Sequence, residues 1–264
     1  MNEATNTPQK LAAKIFVNGI IQAETGLHIG GNSVGMAIGG ADTVVVRNPL
    51  TNVPYIPGSS LRGKMRSLME RTRGMEGKEG KGGFSITRGE DNKGNPTLTV
   101  LAGKEPKTDL GKFFGTSAET GGSVTRLTVR DCPLTPQSQE ELENAPNTDM
   151  PLTEVKTEVV IDRITSAASP RQIERVPAGA KFEFCFAIDL LGDETAEQWL
   201  KLLAEGMRLV QDDSLGGSGS RGYGQVKFGK ITVSERTAEN YKNGADAKEF
   251  ESDLFKNFAE FSDA

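Results

Sequence analysis

The apolar positions of this chain fall in a few short runs. "KIFVNGIIQAE" (14 to 24) is rich in Ile and Val and predicts a strand. Further on the period lengthens. Leu61, Met65, Leu68 and Met69 stand at i, i+4, i+7 and i+8, one apolar face of a helix that Ser59 or Ser60 caps and Gly74 stops. "SVTRLTVRDCPL" (123 to 134), with Val124, Leu127 and Val129, predicts a second strand. "EVKTEVVIDRITSAASPRQIERVPAGAKFEFCFAIDL" predicts two more, at about 154 to 162 and 181 to 190, around a basic, Pro-broken connection. "DETAEQWLKLLAEGMRLVQ" predicts a second helix. Thr195 and Gln198 have capping-box spacing, and Trp199, Leu202, Leu203, Leu209 and Val210 form its buried stripe. "QVKFGKITVS" is the last strand.

Between these runs the chain is polar. Residues 1 to 11 are expected to fray. A stretch with six glycines follows the first strand as a mobile or tightly turned loop, and its end, "TVVVRN", is extended. Residues 74 to 96 look like a flexible insertion, and "TPQSQEELENAPNTDMP" an exposed segment. The acidic end after Glu235 has helical patches and either docks or dangles. The order strand, helix, strand, strand, helix, strand is the split βαβ pattern, so the fold class is α+β and ferredoxin-like. Both helices then cover one face of an antiparallel sheet and leave the other open. No short-period repeat interrupts it.

Composition narrows the chemistry. The chain has 264 residues, enough for one large domain or two small ones. Cys132 and Cys185 make no disulfide framework, and two cysteines with one histidine cannot fill a closed zinc site alone. No signal peptide or membrane-length apolar run is visible, so a soluble cytoplasmic protein, without a membrane partner, is expected. The net charge is −5. Residues 235 to 264 hold eight acids and four bases, a net of −4, so the remainder is near neutral. Arg62, Lys64, Arg66, Arg71 and Arg73 against Glu70 give a local +4. Such a patch suits phosphate, although charge alone favours a solvated helix face.

Three motifs test that choice. Gly58, Gly63 and Lys64 have the spacing of a nucleotide-binding P-loop, but Met65 stands where a Mg²⁺-binding hydroxyl belongs, which argues against an NTPase. The physical part survives: bare N–H groups at a helix start attract anions, and Arg62, Lys64 and Arg66 add charge. A polyanion backbone is the natural ligand. "GSGSRG" (217 to 222) follows a helix and precedes a strand, the reverse of a dinucleotide fold. His28 is the sole histidine, so no kinase H-R-D motif follows the glycines. "RGYGQVKF" (221 to 228) fits an RNA-binding strand motif at all positions but Gln225, a hint of RNA or a coincidence in a Gly-rich strand start.

Five stretches in order, "TGLHIGG", "IGGAD", "PYIPGSSLRGKMR", "DRITSAASPRQIERV" and "LGGSGSRGYGQVKF", resemble one family over about residues 14 to 228. It is the RAMP backbone subunit of type III-A CRISPR effector complexes, the third subunit of the Csm complex, in the seventh Cas family. The resemblance implies one RRM-like domain over 1–235. It implies a β-hairpin thumb within about 135–180, whereas the flexible insertion at about 74–112 and the acidic tail at 236–264 lie outside its pattern. It implies copies stacked head to tail along a guide crRNA beside other Csm subunits, with complementary target RNA cut in a metal-dependent, Mg²⁺-type reaction. By that resemblance Asp42 directs the cut. Ser59, Ser60, Arg62 and Lys64, with Arg66 adding charge, hold guide phosphates. Arg163, Ile164, Thr165, Ala168, Pro170 and Arg171 form the thumb motif. Gly217, Gly219, Arg221 and Gly222 lie against guide RNA. His28, between Gly26 and Gly30, is expected near phosphates as a contact or loop residue rather than the catalyst. Asp131 and Asp162, next to strands, are expected to pair with nearby arginines, with service as second acids the alternative.

The chemistry permits one acid per cut. An RNA 2′-OH attacks its own phosphate once the nucleotide is splayed in line, and a single carboxylate can then anchor Mg²⁺ or assist the proton. Two rival readings stand beside this one: a guide-binding scaffold that does not cut, and a lone guide-processing nuclease using histidine. His28 has no second histidine to work with.

Overall fold

The computed structural model describes residues 10–31, 41–73, 108–116, 124–146, 148 and 150–261, and the backbone of 84–90 and 96–102. In chain order the elements are β1 (Leu11–Ala23), β2 (Tyr55–Ile56), α1 (Gly58–Thr72), β3 (Phe84–Glu90), β4 (Pro96–Ala102) and α2 (Asp109–Phe114). They continue with β5 (Leu127–Val129), β6 (Cys132–Pro133), α3 (Pro136–Glu143), β7 (Glu154–Ile161), β8 (Ala168–Arg175) and β9 (Lys181–Leu191). Last come α4 (Ala196–Asp212), β10 (Val226–Thr237), α5 (Ala238–Asn243) and β11 (Lys248–Glu249).

The main sheet runs β11-β10-β1-β9-β5, and every neighbouring pair is antiparallel. With β11 set aside, the four long-range strands lie in the order fourth, first, third, second, with α1 and α4 as crossovers. That is the ferredoxin-like arrangement expected from the element order. Side chains of a strand alternate between faces, and here one face is oily. Ile15, Val17 and Ile21 of β1, Phe182, Phe184, Phe186 and Ile188 of β9, and Val226 and Phe228 of β10 are buried. Against them α1 lays Leu61, Met65, Leu68 and Met69, as the periodicity predicts. Gly206 of α4 sits directly under Met65 and Met69, so the two helices approach closely.

Several details depart from the sequence reading. Helix α1 starts at Gly58, with Pro57 as its cap and no side-chain capping bond. Ser59 and Ser60 lie inside the first turn. The reason is Gly58: a Cβ there would run into the Val129 carbonyl, so only glycine lets the helix begin this close to β5. Gly74 lies outside the described residues. Helix α4 buries Trp199, Leu200, Leu203, Ala204, Met207 and Val210, whereas Leu202 and Leu209 are only partly covered. Thr195 makes no capping bond, and Gln198 turns to Asp109 at 3.2 Å. Glu194 holds this corner instead, taking the Leu191 N–H, the Trp199 indole N–H and the buried Arg126 guanidinium.

The strand at 154–162 is not in the main sheet. The basic connection after it is itself a strand, and β7 and β8 pair with each other as a separate hairpin. The stretch 123–134 breaks into β5 and β6, with Val124 65% exposed. The polar segment after it contains α3, whose Leu142 is buried and whose Ser138 hydroxyl accepts the Lys181 N–H. Within 74–112, β3 and β4 pair antiparallel, and α2 begins at Asp109 to bury Phe113 against Trp199, rings 5.8 Å apart. The acidic end docks. β11 covers β10 at Ser234 and Glu235, and Phe255 and Phe258 enter the core. No helix among the described residues is long and apolar enough to cross a membrane.

Candidate RNA interface and catalytic loop

One end of the sheet gathers the chemistry. Gln22 near the end of β1 is level with Lys181 at the start of β9 and Lys227 at the start of β10. The loop after β1, the hairpin before β9 and the glycine loop before β10 therefore emerge together. The start of α1 joins them through its contact with β5.

Asp42 lies in that first loop. The chain beyond it is extended and pairs with β8 through a Thr43–Ile173 bridge. The Asp42 Oδ2 accepts the Gln172 backbone N–H at 2.8 Å, so the exposed carboxylate is pinned to the root of the hairpin. Behind it sits Glu174, buried to 1% exposure. Its carboxylate accepts from the Val45 N–H at 2.8 Å, the Arg47 guanidinium at 2.6 Å and the Thr153 hydroxyl at 2.7 Å. A buried carboxylate is tolerated only with such a set of donors. Sequence reasoning missed Glu174 and Arg47, because an acid in a strand of exposed residues carries no local sign of burial.

Among the described residues, no donor reaches the Asp42 Oδ1, and no three His, Cys, Asp or Glu side chains cluster as a metal cage. The donor set fits Mg²⁺ held by one carboxylate, with water and substrate phosphate filling the other positions. It does not fit a metal enclosed by protein alone.

His28 touches the same unit. Its Nδ1 lies 2.6 Å from the Glu174 carbonyl oxygen and donates to it, which leaves Nε2 as the ring nitrogen not engaged by Glu174. Its own carbonyl accepts the Gly217 N–H at 2.8 Å. This close approach requires glycine. Gly216 has φ +80°, and a Cβ there would overlap the His28 carbonyl oxygen. Gly224, at φ +71°, is barred from a side chain in the same way by the Leu215 carbonyl. Gly217, Arg221 and Gly222 are exposed and Gly219 is half-buried.

The glycine loop is latched to the hairpin. Arg221 pairs with Glu158 of β7 at 3.0 Å. The buried Tyr223 ring lies 4.6 Å from the Lys156 ammonium and 5.0 Å from the Arg175 guanidinium. The nearby Tyr223 hydroxyl, then Arg221 and Lys156, hold the Glu158 carboxyl below its ordinary range, although the buried hydroxyl makes no well-formed hydrogen bond among the described residues. Burial, then Glu158, pushes the Tyr223 hydroxyl up to about 12.

The cationic face of α1 is largely committed inside the molecule. Arg62 donates to the Phe114 carbonyl, Lys64 pairs with Asp213 at 3.0 Å, and Arg66 pairs with Glu70 at 2.7 Å and donates to the Gly115 carbonyl. Ser59 is exposed and Ser60 half-buried. The helix start is not bare, because the Asp131 Oδ1 accepts the Gly58 N–H at 2.8 Å. Asp131 and Asp162 thus serve backbone groups, not arginines. At the hairpin tip Asp162 Oδ1 accepts from the Ile164 N–H, the Thr165 N–H and the Thr165 hydroxyl. Arg163, Ile164 and Arg171 are exposed, and neither arginine has an ion-pair partner among the described residues.

A pH prediction follows at the tip. The Thr165 and Ile164 N–H groups lower the Asp162 pKa. A depressed folded-state pKa means the turn is stabilised above the ordinary value of about 3.9 and loses that help as pH falls through the folded value. Protection of the Ile164 and Thr165 amides, relative to their intrinsic exchange rates, is expected to fall over that acid window, and Asp162→Asn to flatten the dependence.

Fold and site define an α+β protein with a ferredoxin-like palm, a projecting hairpin with exposed arginines and a glycine loop at its root. The RAMP superfamily model matches residues 20–227, and the chain belongs to that superfamily. It is 35% identical over 243 residues to the CRISPR system Cms endoribonuclease Csm3 of Methanothermobacter thermautotrophicus, covering 87% of this chain and 89% of that protein. It is 37% identical over 224 residues to the Csm3 endoribonuclease of Streptococcus thermophilus, covering 83% and 89%. Among solved structures, the Csm3–Csm4 subcomplex of a type III-A CRISPR-Cas interference complex matches at 26% identity, TM-score 0.52, over 95% of this chain and 100% of the matched one. Csm3 of Methanopyrus kandleri shares the fold at TM-score 0.59 and 20% identity, over 92% and 90%.

Proposed function

We propose that this chain is a backbone subunit of a type III-A CRISPR interference complex, and that it cleaves target RNA paired to a guide crRNA. Its superfamily membership and its Csm3 endoribonuclease relatives support the reading. The observation that carries the catalytic part is the exposed Asp42 carboxylate pinned by Gln172 to the hairpin's root.

In this reading the glycine loop, Ser59, Ser60 and His28 lie along guide phosphates, and Arg163, Thr165 and Arg171 carry the hairpin into the guide–target duplex. A wedge there unstacks one target nucleotide and lets its 2′-OH swing in line with the next phosphorus. Asp42, beside the wedge, takes or steers the 2′-OH proton as O2′ bonds to phosphorus and the P–O5′ bond breaks, the departing 5′ oxygen taking a proton from water to leave a 2′,3′-cyclic phosphate and a 5′-hydroxyl. Mg²⁺, when held by Asp42, would neutralise phosphate charge. Uncharged backbone N–H groups and hydroxyls read phosphate and not bases, so grip is independent of guide sequence. Further copies of the chain and other Csm subunits complete the assembly, in the cytoplasm.

The test is the composition of the purified complex. It is expected to carry a uniform small RNA with a constant 5′ end and to cut a complementary RNA at evenly spaced sites. Material with no such RNA would count against the whole reading.

A further inference from the structure

Lys64 and Asp213 join two elements of the proposed RNA grip that are far apart in sequence. Lys64 is on the second turn of α1, and Asp213 ends α4 where the glycine loop begins. The ammonium lies 3.0 Å from Asp213 Oδ1. The same oxygen accepts the Ser214 hydroxyl at 3.2 Å. Ser214 Oγ in turn lies under Gly219 so closely that a Cβ at Gly219 would overlap it. A continuous path therefore runs from α1 through Lys64, Asp213 and Ser214 to the turn at Gly219–Arg221.

We propose that Lys64 and Asp213 form a strut that sets the spacing between the start of α1 and the glycine loop, so that Lys64 acts on RNA by positioning that loop rather than by touching phosphate. The inference rests on the RNA-binding reading above and assigns Lys64 a different part in it. Two observations favour it. The ammonium is already directed at a carboxylate, and that carboxyl is held below its ordinary range first of all by its bond to Lys64. Asp213 is also the residue from which the loop departs, and its own N–H turns back to the Val210 carbonyl. The pair is partly exposed, so its loss should leave overall stability little changed.

The experiment compares Lys64→Ala, Asp213→Ala, both together, and the swap Lys64→Asp with Asp213→Lys, all in the full chain. Loop geometry is read from Gly216 to Gly222 amide shifts without RNA, and affinity from single-stranded RNA binding across a salt series. Each single variant is expected to move the loop amides and to weaken RNA binding about five- to tenfold. The double alanine variant should be no worse than either single one, and the swap should restore both readouts. The slope of affinity against salt should stay as in the parent. A direct phosphate contact predicts otherwise: Lys64→Ala would lower that slope by about 0.7, the loop amides would stay put, and the swap would rescue nothing. That result overturns the strut while leaving the RNA reading intact. If the parent protein binds no RNA, the positioning role falls together with the RNA reading, even where the loop amides do move.

Discussion

Asp42→Ala is expected to abolish evenly spaced cutting of complementary RNA while complex assembly and guide content stay at parental levels. Loss of a group that handles the 2′-OH proton lowers rate by about 10²- to 10⁴-fold. The fold should barely register the change. Asp42 is exposed, and the substitution removes one bond, from the Gln172 N–H, worth about 1 kcal/mol. Asp42→Asn separates two contributions of the side chain. The amide oxygen can still accept the Gln172 N–H, so the loop stays in place, but the charge is gone. Equal loss in Asn and Ala variants assigns the effect to charge, whereas retained cutting in Asn assigns it to loop placement. Normal cutting in both removes Asp42 from the mechanism and assigns the cut to another group.

Gly224→Ala is expected to release the glycine loop, lowering thermal stability and stripping guide RNA from the protein. The residue has φ +71°, which for an L side chain costs about 1–2 kcal/mol. Here sterics add to that strain, because the new Cβ would overlap the Leu215 carbonyl oxygen. Relief requires the backbone to move. That movement threatens two hydrogen bonds, Gly224 N–H to Gly26 O at 3.0 Å and Leu215 N–H to Gly224 O at 2.8 Å, each worth about 1 kcal/mol. A total near 3 kcal/mol follows. Gly222→Ala is the control. Its φ is +83° but nothing lies within 4 Å of the Cβ position, so only the conformational strain applies. Chemical denaturation should rank Gly224→Ala well below Gly222→Ala. Equal effects would mean that the loop has room to shift and that the Leu215 contact is unimportant.

The site was unevenly legible. The five motifs marked Asp42, His28, the start of α1, the hairpin tip and the glycine loop. The structure joins Asp42, His28 and the glycine loop to one another or to the hairpin strands: Asp42 against Gln172, His28 against Gly217, and Arg221 against Glu158. What the motifs did not disclose is the wiring between them. Glu174, Glu158 and Asp213 looked like ordinary strand or loop residues, yet each links two elements, and Tyr223, read as an aromatic of an RNA-binding motif, is buried against Lys156 and Arg175. Of the five cations counted in the +4 patch, Arg62, Lys64, Arg66 and Arg73 proved to be met by the Phe114 carbonyl, Asp213, Glu70 with the Gly115 carbonyl, and Glu205.

The division has a physical cause. Strand and helix positions, the α+β order and the inner face of the sheet were readable because they depend on periodicity, which is a property of neighbours within a few residues. The hairpin pairing of β7 with β8, the docking of the acidic end along β10, the commitment of the α1 cations and the pinning of Asp42 to Gln172 depend on groups as much as 149 positions apart. Which carboxylate meets which cation is settled by burial. A charge leaving water takes whatever partner the packed chain places beside it, and only folding places one there.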